Sequence, residues 1–477
     1  MEKKFNTARR TAEAVCREEI TARRLIEKAL GRCENLNGRL NLFVNISGND
    51  ALEQADAVDC KVKEGHRPPL AGVPLAVKDD LCYSGLPTTF GSPAFKSFIS
   101  PYSAAAVEKL IEAGAVVIGK TNLDDLSMGS TTAASPFAPA LNPWNTAYLA
   151  GSAGSAAVAS GQCLLALESD TGGALLQGAS HCGVIGLRPT MGRISRYGLN
   201  AFSSSFGQVG ISAGSIEDMK LALELLSGYD QRDAVTAVCR GRSFSPEAIP
   251  VPAGIKVGWP VFALEFLESK HRSLFDRVKE NLNEKGFELI DLDLSLFAEA
   301  LRAYYVIAYA EASSNHSRFD GIRFGEAAYA ENLDELYYKS RAVTFGREAR
   351  RRSVIGTFIL SNGNFDRYYR QALTVWNLVR QEFATALERC DIILLPVAKG
   401  LPRKKNEEIN FLKQYEDDIF CAPVSLAGLP SICLPAGQIE GLPVGLQLVG
   451  APFSEELLLA AGSKLAPEIK FSPDGAL

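Results

Sequence analysis

The chain has 477 residues, 47% of them apolar and 22% charged, which is close to the globular average and ample for a large core. Fifty basic against fifty-five acidic side chains give a formal charge of −5, excluding nucleic-acid binding by bulk positive charge. With 24 Phe, 14 Tyr and no periodic glycine, the composition also excludes a disordered or collagen-like chain.

The opening MEKKFNTARRTAEAVC is basic but carries no apolar h-region, so it does not read as a secretory signal. No apolar run approaches the roughly 18–20 residues that span a bilayer. Ten cysteines without a C-x-x-C pair read as thiols of a reducing compartment. Four histidines (His66, His181, His271 and His316) lie far apart, which argues against a catalytic metal. The expectation is a cytoplasmic globular protein that binds neither metal nor membrane.

In chain order, TARRLIEKALGRC (Thr21–Cys33) has helical spacing, with Thr21 as N-cap and Leu25, Ile26 and Leu30 on one face. Arg39–Ile46 reads as a strand, Leu70–Asp79 as a short buried strand, Ala104–Ala113 as a helix and Val116–Ile118 as a strand. Residues 150–215 are crowded with Gly, Ala and Ser, but Leu, Val, Ile and Cys interrupt them every few residues. That pattern reads as close-packed backbone rather than a linker. Glu217–Leu226 is a helix, and the polar, proline-containing Tyr229–Pro252 is a surface connection. A second β–α passage follows: strand Ile255–Trp259, helix His271–Lys285 and strand Phe287–Leu292. Phe365–Arg389 is the longest helical pattern and runs into a strand at Asp391–Pro396.

This alternation predicts an α/β layered fold. One domain over 1–477 is expected, comprising a helical N-terminal arm (1–65), a core (66–228) and a second α/β portion (229–477) that completes the sheet and the substrate pocket.

Several motifs occur together and in order. They are GVPLAVKD around Lys78, GKTNLDDLSMGS (Gly119–Ser130), NPW (Asn142–Trp144), a Gly/Ser loop holding Ser152 and Ser155, SDTGG (Ser169–Gly173) and CGVIGLRPTMGRISRYGL (Cys182–Leu199). Further along stand YYVIAYAEASSNHSRFDGIRFG (Tyr304–Gly325), IGTFILSNG (Ile355–Gly363) and DIFCAPVSLAGLPSICLPAG (Asp418–Gly437). In this order they resemble the amidase signature family, nearest to its branch of A subunits of glutamine-dependent aspartyl/glutamyl-tRNA amidotransferases. The likeness covers nearly the whole chain and lapses only near the C-terminus. It implies a central mixed β-sheet covered by helices on both faces.

The resemblance also implies a mechanism. A serine hydroxyl is a weak nucleophile at neutral pH and needs a base within hydrogen-bond reach. The family uses a lysine kept neutral by burial, a bridging serine on a cis peptide, and backbone N–H groups that hold the oxyanion. By motif the lysine is Lys78, the bridge is Ser152 or, because the Gly/Ser loop is shorter than the family's, Ser155, and the oxyanion turn is Thr171, Gly172 and Gly173. The nucleophile's position is Ala174, since the chain writes SDTGGALLQG where the family writes S-D-T-G-G-S-I-R-Q-P. Leu175, Leu176, Gly178 and Ala153 also depart from the pattern. Losing a serine nucleophile costs on the order of 10⁶ in kcat, or roughly 8 kcal/mol of barrier. Ser155, Ser169, Ser180 and Cys182 are the available substitutes. Cys182 reads as a core thiol, and His181 as a titratable neighbour.

For the substrate head group the resemblance implies Tyr305 or Tyr304, Arg351 or Arg352, and Asp418, an arginine gripping the carboxylate and an aspartate the ammonium. The expected role is an amidotransferase A-subunit homologue whose own amidase chemistry is silent. It would bind a small amino-acid amide and have B-type and small C-type partner subunits. ATP and magnesium would belong to a partner, so this chain carries no cofactor, and tRNA would be met only indirectly. The alternatives are a binding or assembly module unrelated to tRNA, an amidase with a substitute nucleophile, and a repurposed enzyme using Lys78 as base.

Overall fold

A computed structural model describes residues 7–200, 202–242, 244, 254–408 and 415–465. The N-terminal arm forms α1 (Ala8–Cys16), α2 (Ala22–Leu40) and α3 (Asn49–Lys63). Thr21 caps α2 as expected, its hydroxyl accepting the Arg24 N–H at 3.2 Å. The helix runs further than its sequence signals, to Leu40, where Asn41 takes a left-handed conformation and ends it. The strand expected from Arg39 therefore begins only at Phe43.

Eleven described strands form one mixed sheet: β1 (Phe43–Ile46), β2 (Pro74–Lys78), β3 (Val116–Thr121), β4 (Leu165–Asp170), β5 (Ile185–Arg188), β6 (Gln208–Ala213), β7 (Lys256–Pro260), β8 (Glu288–Leu292), β9 (Ile392–Pro396), β10 (Ser431–Ile439) and β11 (Leu442–Gly450). Their spatial order is β1-β3-β2-β4-β6-β5-β10-β11-β9-β7-β8. Strands β2, β3 and β4 pair in parallel, as do β7, β8 and β9, and antiparallel pairs join the two groups. Every residue of β3, β4, β5, β6, β9 and β11 is buried, so both faces of the sheet are covered. The antiparallel pair β10–β5 carries the sheet from the 66–228 stretch into the later one.

The remaining helices are α4 (Ala105–Glu112), α5 (Ala153–Ala159), α6 (Ala174–Cys182), α7 (Ile216–Leu226), α8 (Ser269–Glu284), α9 (Phe297–Asn315), α10 (Leu333–Thr344), α11 (Arg347–Leu360) and α12 (Gln371–Arg389), followed by short helices at Ala422–Ala427 and Glu455–Leu465. The Gly/Ala/Ser-rich stretch folds into α5, β4, α6, β5 and β6 rather than a linker. Phe365–Arg370 is a π-helical turn that leads into α12. Much of Tyr229–Pro252 lies outside the described residues. No described helix is long and apolar enough to cross a membrane.

A buried ion pair fixes the strand ends that carry the site. Lys120 on β3 lies 3.3 Å from Asp79, the residue after β2, and both side chains are fully buried. Lys120 Nζ also donates to the Leu81 carbonyl at 2.5 Å and to Thr88 Oγ1 at 3.0 Å. Asp79 accepts from the N–H of Thr89 at 3.0 Å and from its hydroxyl. Burial pushes the Asp79 carboxyl up to about 6, against the opposing pull of Lys120 and Thr89. Removing one member of such a pair strands the other, at about 3–5 kcal/mol. Lys120→Met is therefore expected to lose about that much unfolding free energy in denaturant titration, and Lys120→Met with Asp79→Leu to regain most of it. Equal losses in the two variants would contradict the pairing.

Candidate active site

Parallel strands deliver their C-terminal ends to one side of a sheet, which is where ligands bind in α/β folds. Here Val77 is registered with Leu167, so Lys78 at the end of β2 faces the end of β4. Above these ends lies an open cavity with about 460 Å³ of empty space. It is lined by Lys78, Ser127, Ser130, Ser169, Thr171, Gly172, Ala174, Phe202, Tyr304, Tyr305, Arg352 and Asp418. A second, adjoining cavity is lined by Lys78, Ala174, Ser152, Ala153 and Glu168 among others. Residues from both α/β passages, far apart in the chain, thus meet at one place.

Lys78 Nζ donates to Ser169 Oγ at 2.8 Å and to the Ser169 carbonyl at 3.2 Å, and it lies 3.5 Å from Asp80. Ser169 in turn donates to Asp80 Oδ2 at 2.5 Å. The lysine therefore sits beside a carboxylate. Asp80 completes this trio.

The bridging serine differs from expectation. Ser152 is the N-cap of α5, its Oγ accepting the Ser155 N–H at 3.3 Å, and no cis peptide bond occurs among the described residues. Its hydroxyl donates to Glu168 Oε2 rather than to Lys78. Ser155 donates to the same carboxylate, at 3.0 Å from Oε1. Neither serine has a hydrogen bond to the lysine.

Thr171, Gly172 and Gly173 form the turn from β4 into α6, and the first two line the cavity. The Gly173 N–H is already committed to Asp170 Oδ1 at 2.7 Å, and the Leu175 N–H to Oδ2 at 3.1 Å. Asp170 is held by Arg188 at 3.5 Å, with both side chains fully buried. Ala174, the first residue of α6, lines both cavities with a methyl group. One turn on, Gly178 lets the Gly/Ser loop press against the helix. A Cβ there would lie 2.2 Å from Ser152 Cβ and 2.5 Å from Ser152 N. The Gly/Ser loop and the bare backbone at 178 thus pack directly against each other.

On the opposite wall, Asp418 accepts from Tyr305 Oη at 2.5 Å and from Gln177 Nε2 at 2.7 Å. Burial pushes its carboxyl up to about 6 in spite of those two donors. Tyr304 and Tyr305 both line the cavity. Of the two candidate arginines, Arg352 lines it and Arg351 does not. Both pair with Glu348, but Arg352 is only 4% exposed and lies over Tyr309, while Arg351 faces outward across Tyr415. Gln177, not singled out in the sequence, gains its place by sitting one helical turn beyond Ala174 on α6.

The other substitute nucleophiles are engaged elsewhere. Ser180 Oγ accepts the Gly445 N–H at 2.7 Å, and Cys182 is a buried thiol pushed well up by burial and directed at the Ala150 carbonyl. His181 is buried and driven down to about 4 by desolvation and by His271, and it lines neither cavity. Ser169 alone combines contact with Lys78 and access to the larger cavity.

Residues 24–459 match the Amidase family model. Among characterised relatives, the A subunit of glutamyl-tRNA(Gln) amidotransferase from Moorella thermoacetica is 39% identical over 467 residues, 97% of this chain and 96% of that protein. The protein of the same name from Methanosarcina mazei is 41% identical over 93% of this chain and 92% of its own. In the solved structure of the corresponding glutamyl-tRNA(Gln) amidotransferase A chain from Thermotoga maritima, identity is 32% and the TM-score 0.76, covering 92% of this chain and 90% of that one. A component of a vestigial protein complex tied to the origins of an s-triazine catabolic enzyme superposes with a TM-score of 0.84 at 27% identity, covering 96% of this chain and 98% of that one.

The contact between α6 and the Gly/Ser loop can be tested directly. Gly178→Ala is expected to cost about 1–3 kcal/mol of unfolding free energy through overpacking against Ser152. An unchanged denaturation midpoint would remove the contact from the account.

Proposed function

The chain belongs to the amidase family, and on that premise we propose that it is an A-type amidotransferase homologue that holds an amino-acid amide without cleaving it. One observation carries the reading: the side chain offered to the cavity at the start of α6 is the methyl of Ala174. Acyl transfer needs an atom that attacks the carbonyl and then bears the acyl group. A methyl does neither, and the penalty of about 10⁶ in kcat exceeds what rearrangement of neighbouring hydroxyls recovers.

Binding makes different demands, and the cavity keeps what it needs. Arg352 suits a carboxylate, Asp418 suits an ammonium, and Tyr305 and Gln177 orient Asp418. Glutamine is the ligand that the family resemblance implies. The relatives' designation as a subunit supports association with partner chains, which the resemblance makes B-type and small C-type subunits. The partner would hold ATP and magnesium and contact the tRNA, a division that suits the chain's net charge of −5. The reading assigns the protein to the cytoplasm and treats residues 1–477 as one domain.

A second reading takes Ser169 as a substitute nucleophile, favoured by its 2.8 Å contact with Lys78. Against it, the Ser169 proton is directed at Asp80, and the hydroxyl precedes the turn instead of following it.

Glutaminase assay of the purified chain, alone and with its B- and C-type partners, tests the proposal. Turnover at least about 10⁴-fold below that of ordinary amidases is expected, and comparable turnover would overturn it. Activity abolished by Ser169→Ala would establish the second reading. In calorimetry Arg352→Ala is expected to weaken glutamine binding by about 1.5–3 kcal/mol, the worth of a charged hydrogen bond, while Arg351→Ala leaves it unchanged. The reverse order would return the role to Arg351. Because protonating Asp418 removes its attraction for an ammonium, affinity should fall towards tenfold per pH unit below about 6. A flat profile between pH 7 and 5 would exclude Asp418 from the head-group site.

A further inference from the structure

Glu168 takes no part in the relay outlined above, yet it lines the cavity behind Lys78 and is only 2% exposed. A carboxylate at that depth is costly unless donors surround it. Three hydroxyls do: Ser152 on Oε2, and Ser155 at 3.0 Å and Ser212 at 2.6 Å on Oε1. Burial raises its pKa, opposed by these hydroxyls and by the charge of Lys78. The backbone around the carboxylate is shaped to admit it. A Cβ on residue 154 would lie 2.8 Å from the Glu168 carboxyl carbon, and Gly178 leaves room for Ser152 to lean towards Glu168.

A serine hydroxyl has one proton to donate. In the relay that the family resemblance implies, Ser152 passes that proton to Lys78 as it receives one from residue 174. Here the Ser152 proton is given to Glu168, and Lys78 is spent on Ser169 and Asp80. We propose that Glu168 is a positioning residue that holds the Ser152 hydroxyl out of the relay, forming a second block on acyl transfer independent of Ala174. The inference rests on the reading of this chain as a silent amidase with Ser152 as its relay hydroxyl. It implies that replacing the missing nucleophile is not sufficient to wake the scaffold.

The test compares the native chain, Ala174→Ser, Ala174→Ser with Glu168→Ala, and Ala174→Ser with Glu168→Gln. The readout is the rate of labelling by phenylmethylsulfonyl fluoride, followed by intact mass. An activated hydroxyl forms an oxygen–sulfur bond, fluoride leaves, and the hydroxyl proton passes through the relay to solvent. Thermal unfolding of each variant selects the folded ones, and the near-isosteric glutamine decides if the alanine double variant does not fold. The native chain should not label, and Ala174→Ser should label slowly. The Glu168→Ala double variant should label on the order of 10- to 100-fold faster, the equilibrium cost of breaking one hydrogen bond to a charged group. The Glu168→Gln double variant, whose neutral carbonyl still accepts from Ser152 more weakly, should label several-fold faster. A merely structural Glu168 would alter unfolding but not this ratio. Folded double variants that label no faster than Ala174→Ser would overturn the proposal, and slower labelling would overturn it by making Glu168 a base. Labelling of the native chain would instead refute the silent reading itself, so the two failures are distinguishable.

Discussion

The site depends on the parallel pairing of β2 with β3 on one side and β4 on the other. That register brings Lys78 to Ser169 and Glu168, and the Lys120–Asp79 pair fixes where β2 ends. A slip of one residue would turn Lys78 to the opposite face of the sheet. Since β2 to β4 are buried on both faces nearly throughout, such a slip would also force each side chain into packing shaped for a different one. The polar constellation is therefore held by the hydrophobic sheet beneath it, and it persists with a methyl group at residue 174.

That persistence explains how a methyl at 174 coexists with an otherwise intact cavity. Alanine starts a helix well, and nothing in the packing of α6 requires a hydroxyl there. The surrounding contacts are mutually consistent: Gly178 admits the Gly/Ser loop, the loop seats Ser152 as the cap of α5, and Ser152 and Ser155 satisfy the buried Glu168. Tyr305, Gln177, Asp418 and Arg352 on the facing wall form a separate network that does not need the nucleophile.

Local signals made much of this legible. Thr21 capped its helix as read, the β–α alternation gave the layered α/β class, and the small-residue stretch proved to be close-packed backbone. Boundaries failed where a competing local device won, as at Asn41, whose left-handed cap lets α2 consume the start of the expected strand. The motifs named Lys78, Thr171, Gly172 and Asp418, all of which line the cavity. Arg351 and Arg352 could not be separated in advance, because both lie at helix-neighbour spacing from Glu348 and only the packing of α11 on α9 decides which faces inward. Glu168 escaped notice because a lone glutamate in LALESD belongs to none of the motifs, and its three serine partners come from the cap and first turn of α5 and from β6.

On the function proposed above, no atom of this polypeptide receives an acyl group from a bound amide. Acid-quenched intact-mass spectrometry of the chain saturated with glutamine, with its partners present, addresses it most directly. The account predicts an unmodified mass at every quench time. A transient acyl adduct on any side chain, Ser169 foremost, would contradict it.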